Sequence, residues 1–149
     1  TVFATSHDAG ESVDYRVDCG DAAVGILTDT GFVPEPAAAA LTGVDLLVLE
    51  SNHDVEWLRS GPYPYSLKQR ILGQRGHLSN EDAAAFARRM AECGTRCIVL
   101  AHLSRENNTP QRALAVMETA LSGLDVTVEV APRGELSACY GAEVALCRK

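Results

Sequence analysis

A chain of 149 residues is of a size for one domain with one core, and 46% apolar against 22% charged residues is the composition of a folding chain rather than a disordered one. The net charge of −7 argues against a broad basic face for nucleic acid, yet leaves a nucleic-acid substrate open, because bound metal ions supply local positive charge. No apolar run is long enough to cross a bilayer, the longest being the strand-like stretch 44–50.

The opening Thr1-Val2-Phe3-Ala4-Thr5 has neither a basic leader nor an initiator methionine, and reads as a strand of a chain that begins mid-protein. Val2 to Ser6 is the first expected strand, and His7-Asp8-Ala9-Gly10 a turn. From Val13 to Cys19 apolar and polar residues alternate, which predicts a half-exposed strand; Ala23 to Thr28 is a third, ending at Asp29-Thr30-Gly31. Tight turns between these three predict an antiparallel meander. Pro34 to Leu41 predicts a short helix, and Asp45 to Glu50 a strand that is fully apolar at Leu46-Leu47-Val48-Leu49 and therefore central.

Ser51-Asn52-His53-Asp54 leads into a helical piece at 55–59, then the irregular 60–65 with its two prolines, then one or two helical turns at 66–72. Gly76-His77-Leu78-Ser79-Asn80 precedes a helix over 81–93, with Ser79 and Asp82 spaced as a capping box. Its apolar face is Ala84, Phe86, Ala87, Met90 and Ala91. Cys97 to Leu103 is a buried strand, Thr109-Pro110 caps and starts the last long helix, Val126 to Val130 is a strand, and Ala138 to Leu146 a weaker one. The five cysteines are odd in number and lack the paired spacing of a zinc knuckle, so they read as reduced, mostly buried thiols of a cytoplasmic protein.

Following strand directions, the meander alternates and helical crossovers then return the chain in parallel. His7, Asp29, the stretch 50–54 and His102 therefore emerge at one sheet edge, with His77 in the loop before the 81–93 helix. Imidazole and carboxylate suit Zn²⁺, Mn²⁺ or Fe²⁺, and an aspartate can bridge two ions. Two ions about 3.5–4 Å apart activate a hydroxide and clamp a phosphoryl oxygen. His77 just before a helix N-terminus suits contact with an anionic substrate or leaving group better than ligation. Singly, these residues also have structural readings: an Asx turn at His7-Asp8, a strand-ending turn at Asp29, a helix cap around His53.

The words Ser6-His7-Asp8-Ala9, Thr28-Asp29-Thr30-Gly31, Leu49-Glu50-Ser51-Asn52-His53-Asp54, Gly76-His77-Leu78-Ser79-Asn80 and Ala101-His102-Leu103-Ser104 together resemble the metallo-β-lactamase-fold hydrolases of the YycJ/WalJ type. These are bacterial cytoplasmic proteins regarded as nucleases and similar to ribonuclease Z. The resemblance implies an α/β fold, one half of an αββα sandwich, with a mixed sheet and helices packed on one face, the whole chain 1–149 forming a single domain. It implies His7, Asp29 and His102 as metal ligands, Asp29 bridging two divalent ions (Zn or Mn), and His77 as a proton donor beside Asp29 in catalysis. Glu50, His53 and Asp54 would adjoin the ligands, and Asn80 and Arg105 would touch substrate phosphate.

The family's His-x-His-x-Asp-His motif has no match here, so the chain resembles the C-terminal half of such an enzyme, with only three of the ligands the resemblance implies and a loose hold on metal by itself. The function expected is a phosphodiesterase or exonuclease on DNA or RNA, acting through a hydroxide held by two metals, with the isolated fragment inactive. The alternatives are a hydrolase of a small ester, thioester or lactone, and a non-catalytic binding module. The expected partners are a nucleic-acid or phosphodiester substrate, the N-terminal half of the same fold and no membrane. A sheet face left bare without that half also invites self-association into a homo-oligomer.

Overall fold

The computed structural model describes residues 1–137. The expected strand at Ala138 to Leu146, with Cys139 and Cys147, lies outside the described residues.

Six strands form one mixed sheet in chain order: β1 (Val2–Ala4), β2 (Val13–Cys19), β3 (Ala22–Leu27), β4 (Leu46–Glu50), β5 (Cys97–Ala101) and β6 (Thr127–Val130). β1, β2 and β3 are the antiparallel meander, and β3 through β6 run parallel. The helices are α1 (Glu35–Leu41), α2 (Val55–Ser60), α3 (Tyr65–Leu72), α4 (Asn80–Glu92) and α5 (Pro110–Ala120). Three of them start on a side-chain cap. Asp54 accepts the Trp57 amide at the start of α2, Ser79 that of Asp82 at the start of α4, and Thr109 that of Arg112 at the start of α5, followed by Pro110 in the first helical turn. The Ser79–Asp82 pair departs from a full capping box, because the Asp82 carboxylate accepts a hydrogen bond from the Ser79 hydroxyl instead of from the Ser79 backbone amide.

The period of two in the strands divides the sheet into two unlike faces. Leu27, Leu47, Leu49, Ile98 and Leu100 point to one face, where they share a core with Ala37, Ala38 and Leu41 of α1, Phe86, Ala87 and Met90 of α4, and Ala113 and Met117 of α5. The opposite face carries a smaller cluster of Leu46, Cys97 and Val99, continued by Val24 and Val48. On the meander the same face is open: Val2, Val13, Tyr15 and Val17 are 60%, 42%, 45% and 47% exposed.

Two expectations need correction. β5 stops at Ala101 and not at residue 103, because His102 turns into the left-handed region (φ 55°) and breaks the pleat. Of the three described cysteines, all free, only Cys97 is buried; Cys19 and Cys93 sit at exposed element ends. No helix among the described residues is long and apolar enough to cross a membrane.

Candidate metal centre

Because β3, β4 and β5 are parallel neighbours, their carboxyl ends open at one edge of the sheet. Asp29 follows β3, Glu50 ends β4, and His102 follows β5. Asp29 (φ 48°) and His102 (φ 55°) are the two non-glycine residues with positive φ among those described. Such a conformation costs on the order of 1 kcal/mol for a residue with a Cβ. Both are held by a side-chain donor on their carbonyl: Thr5 Oγ1 donates to Asp29 O at 2.9 Å, and Asn52 Nδ2 to His102 O at 2.9 Å. The turn out of each strand thus aims the side chain at the edge instead of along the sheet.

Glu50 is fully buried and stands at the centre of this edge. Its Oε1 accepts from His77 Nδ1 at 2.8 Å and His102 Nδ1 at 2.6 Å, while Oε2 accepts the amides of Leu78 (3.1 Å) and Thr30 (3.2 Å). Burial works to raise the Glu50 carboxyl pKa, but the imidazole and amide donors outweigh it and hold the group below its ordinary value. The bond to Glu50 in turn raises the pKa of His102 against the opposing effect of burial. Asp29 Oδ1 lies 3.6 Å from both His77 Nδ1 and His102 Nδ1.

The loop carrying His77 is stitched to the His7 turn. His7 Nδ1 meets Gly76 O at 3.1 Å, the Asp8 amide donates to Arg75 O at 3.2 Å, and Arg70 forks onto the Asp8 carboxylate at 2.7 and 3.1 Å. The His7 and His77 rings are 4.9 Å apart. Gly76 is required by close approach, since a Cβ there would collide with the carbonyl oxygens of Ile71 and Arg70.

The sequence-derived residues divide accordingly. One donor atom each from Asp29, Glu50, His77 and His102 lies within 4.8 Å of the others, with His7 at the margin, one ring beyond His77. Glu50, expected beside the ligands, is at their centre; the signal was its position as an acid ending an otherwise apolar strand. His53 is 1% exposed and apart from the cluster, bridged through its backbone to Ser79. Neither of its ring nitrogens has a hydrogen-bond partner, and burial lowers its pKa to about 4. Asp54 caps α2 and binds Arg112 at 2.6 Å.

Asn80 is fully buried, accepting the Ser51 hydroxyl and exchanging amide bonds with Asn108, so it braces the loops. Arg105 is exposed and lines a second cavity with Asn108 and Arg133, on which His102 and Leu103 also border. The start of α4 is less open to an anion than its sequence suggests: the Asn80 amide donates to His53 O and the Asp82 amide to Ser79 Oγ.

Two imidazoles and two carboxylates converging at one point form a donor set that fits a divalent cation of the zinc or manganese kind. A cavity of about 400 Å³ opens beside it, its lining including His7, His77 and His102 together with Tyr63, Arg70 and Arg75.

No family model matches the chain. It is 44% identical over 128 residues to the exodeoxyribonuclease WalJ of Streptococcus pneumoniae, covering 86% of this chain and 48% of that protein. It is 43% identical over 111 residues to the exodeoxyribonuclease YycJ of Bacillus anthracis, covering 74% and 42%. The chain therefore spans about half the length of the curated relatives it matches. Among solved structures, the metallo-β-lactamase fold protein YhfI of Bacillus subtilis superposes with a TM-score of 0.62 at 20% identity, over 88% of this chain and 45% of that one. A diphosphatase of the PhnP family gives 0.56 at 17% identity over 94% and 44%. Zn²⁺-bound PqqB of Methylobacterium extorquens gives 0.54 at 20% identity over 86% and 43%. The sheet and helices of this chain are thus part of a metallo-β-lactamase fold.

Proposed function

We propose that this chain, a member of the YycJ/WalJ-type subfamily of metallo-β-lactamase-fold proteins, is the C-terminal half of a metal-dependent phosphodiesterase that degrades DNA as an exonuclease. The observation that carries the reading is the convergence of Asp29, Glu50, His77 and His102 at one sheet edge. The names of the relatives supply the substrate class, a nucleic-acid strand. Asp29 and His102, with His7 beside them, would hold two divalent ions, Zn or Mn, together with ligands from the other half. Such ions polarise a phosphoryl oxygen and supply a nucleophile at neutral pH.

What this chain's own residues contribute follows from their bonds. Glu50 takes the Nδ1 side of His77 and fixes the ring, so that Nε2 faces substrate as the proton donor to the leaving oxygen. Its two backbone amide bonds keep the carboxylate in place as His77 exchanges its proton. The αL turns at Asp29 and His102 keep those side chains pointed at the reacting group.

The bare meander face, with Val2, Val13, Tyr15 and Val17 exposed, supports a second sheet from the N-terminal half packing there. Three free thiols speak for a cytoplasmic location in a bacterial cell.

The test uses the full-length protein loaded with Mn²⁺ or Zn²⁺ on 5′-labelled oligonucleotides, with nitrophenyl esters as the competing substrate class. Asp29→Asn and His102→Ala should each lower oligonucleotide cleavage by about a hundredfold or more, the scale on which losses of aligned catalytic groups fall. Full activity in either variant would refute the site, and ester hydrolysis without strand cleavage would refute the nuclease.

A further inference from the structure

His102 is aimed by a backbone conformation that its own residue type does not favour. A side chain with a Cβ is disfavoured at φ 55°, and the His102 side chain is 45% exposed, so packing alone does not hold it. Nδ1 of the ring is taken by Glu50 at 2.6 Å, which leaves the Nε2 lone pair for a cation. The ring keeps that place only while the main chain stays in the left-handed turn. In the extended region the side chain would follow the alternation of β5 instead.

Asn52 meets this turn from the neighbouring loop. Its Nδ2 donates to His102 O at 2.9 Å, its carbonyl accepts the Ser104 amide at 2.7 Å, and its amide donates to Leu78 O at 3.0 Å. One buried residue, two places beyond Glu50, is thus bonded to His102, to Ser104 and to the residue that follows His77. The two backbone bonds belong to a loop that Asn108 fastens independently. Asn108 Nδ2 donates to the carbonyls of Ser51 at 2.9 Å and Asn52 at 3.1 Å. The bond to His102 O alone requires a side-chain donor at position 52, and among the described residues it is the bond that this side chain makes. Removing that donor leaves the loop in place and frees the His102 carbonyl, and with it the turn.

We propose that Asn52 is a positioning residue for His102, its side-chain amide selecting the left-handed turn that keeps the imidazole at the metal centre. The inference rests on the reading of His102 as a metal ligand of a phosphodiesterase. Asn52 acts through the His102 carbonyl and touches neither metal nor substrate. Groups that orient a ligand from behind are worth about 10–100-fold in metal affinity.

The experiment measures the Zn²⁺ affinity of the full-length protein by competition with a chromophoric chelator, alongside the urea midpoint, in a cycle of Asn52→Ala, His102→Ala and the double variant. Asn52→Leu, branched like asparagine but without a donor, repeats the cycle with the volume kept. Each Asn52 variant should bind Zn²⁺ about tenfold or more weakly than wild type. In the His102→Ala background neither should weaken binding further, because the ring that Asn52 orients is gone. A residue of the framework only would lower the urea midpoint alone, or weaken Zn²⁺ equally with and without the His102 ring. Wild-type affinity in both Asn52 variants, an equal loss in both backgrounds, or loss of folding in both variants would overturn the role. His102→Ala with unchanged Zn²⁺ affinity would overturn it as well, by removing His102 from the centre. The expected cycle without strand cleavage by the wild-type protein would overturn the phosphodiesterase reading alone. Strand cleavage by the wild type, with unimpaired Zn²⁺ binding in both Asn52 variants, would overturn the positioning role alone.

Discussion

Glu50→Gln is the perturbation that tests the logic of the site most directly. The wild-type carboxylate is fully buried and satisfies four donors, at 2.6, 2.8, 3.1 and 3.2 Å. Glutamine has nearly the same shape but one acceptor oxygen and no charge. If that oxygen stays with the Thr30 and Leu78 amides, the two imidazoles face an NH₂ group and lose their charge-assisted bonds. Each such bond contributes about 1.5–3 kcal/mol against about 0.5–1.5 for a neutral one. The His102 bond counts at the lower end, because that side chain is 45% exposed. The expected loss is about 3 kcal/mol, seen as a urea midpoint lower by roughly 1 M in the metal-free, full-length protein.

The pH dependence gives the signature. Glu50 titrates below its ordinary 4.5, so its contribution is present above that pH and lost as pH falls through the lowered value. His102 titrates above its ordinary 6.5, so its contribution is present below that pH and lost as pH rises through the raised value. The gap between wild type and Glu50→Gln should therefore be widest between about pH 4.5 and 6.5 and narrow on both sides. A gap under about 0.5 kcal/mol, or one that is flat across this range, would refute the account.

Two further outcomes are expected. His53 is buried as the neutral ring with a pKa near 4 against an ordinary 6.5, so unfolding takes up a proton and stability falls as pH drops through that interval, by about 3 kcal/mol in all. His53→Phe should remove that part of the acid sensitivity, read as urea midpoints at pH 7 and pH 4.5; an unchanged acid loss would contradict it. Gly76→Ala drives a Cβ into the Ile71 and Arg70 carbonyls, so it should cost about 2 kcal/mol or more and displace His77, lowering strand cleavage along with the urea midpoint. A variant with wild-type stability and cleavage would show that the loop has room the contacts deny.

Strand and helix identities followed from local pattern, because periods of two and 3.6 and the caps at Asp54, Ser79 and Thr109 act over only a few residues. The shared edge followed as well, since turns and crossovers leave strand direction little choice, and it brought Asp29, Glu50 and His102 together. Tertiary structure decided the order within the edge. Sequence spacing does not say which imidazole a buried carboxylate binds, and the αL turns at Asp29 and His102 arise from donors, Thr5 and Asn52, that are 24 and 50 residues distant. Glu50 moved to the centre, and His53, Asp54 and Asn80 went to packing and capping, because a polar group near a crowded edge bonds to whatever the folded neighbours present. By itself the sequence determined which strand ends share an edge, and only the packed loops determined which of the side chains near it touch.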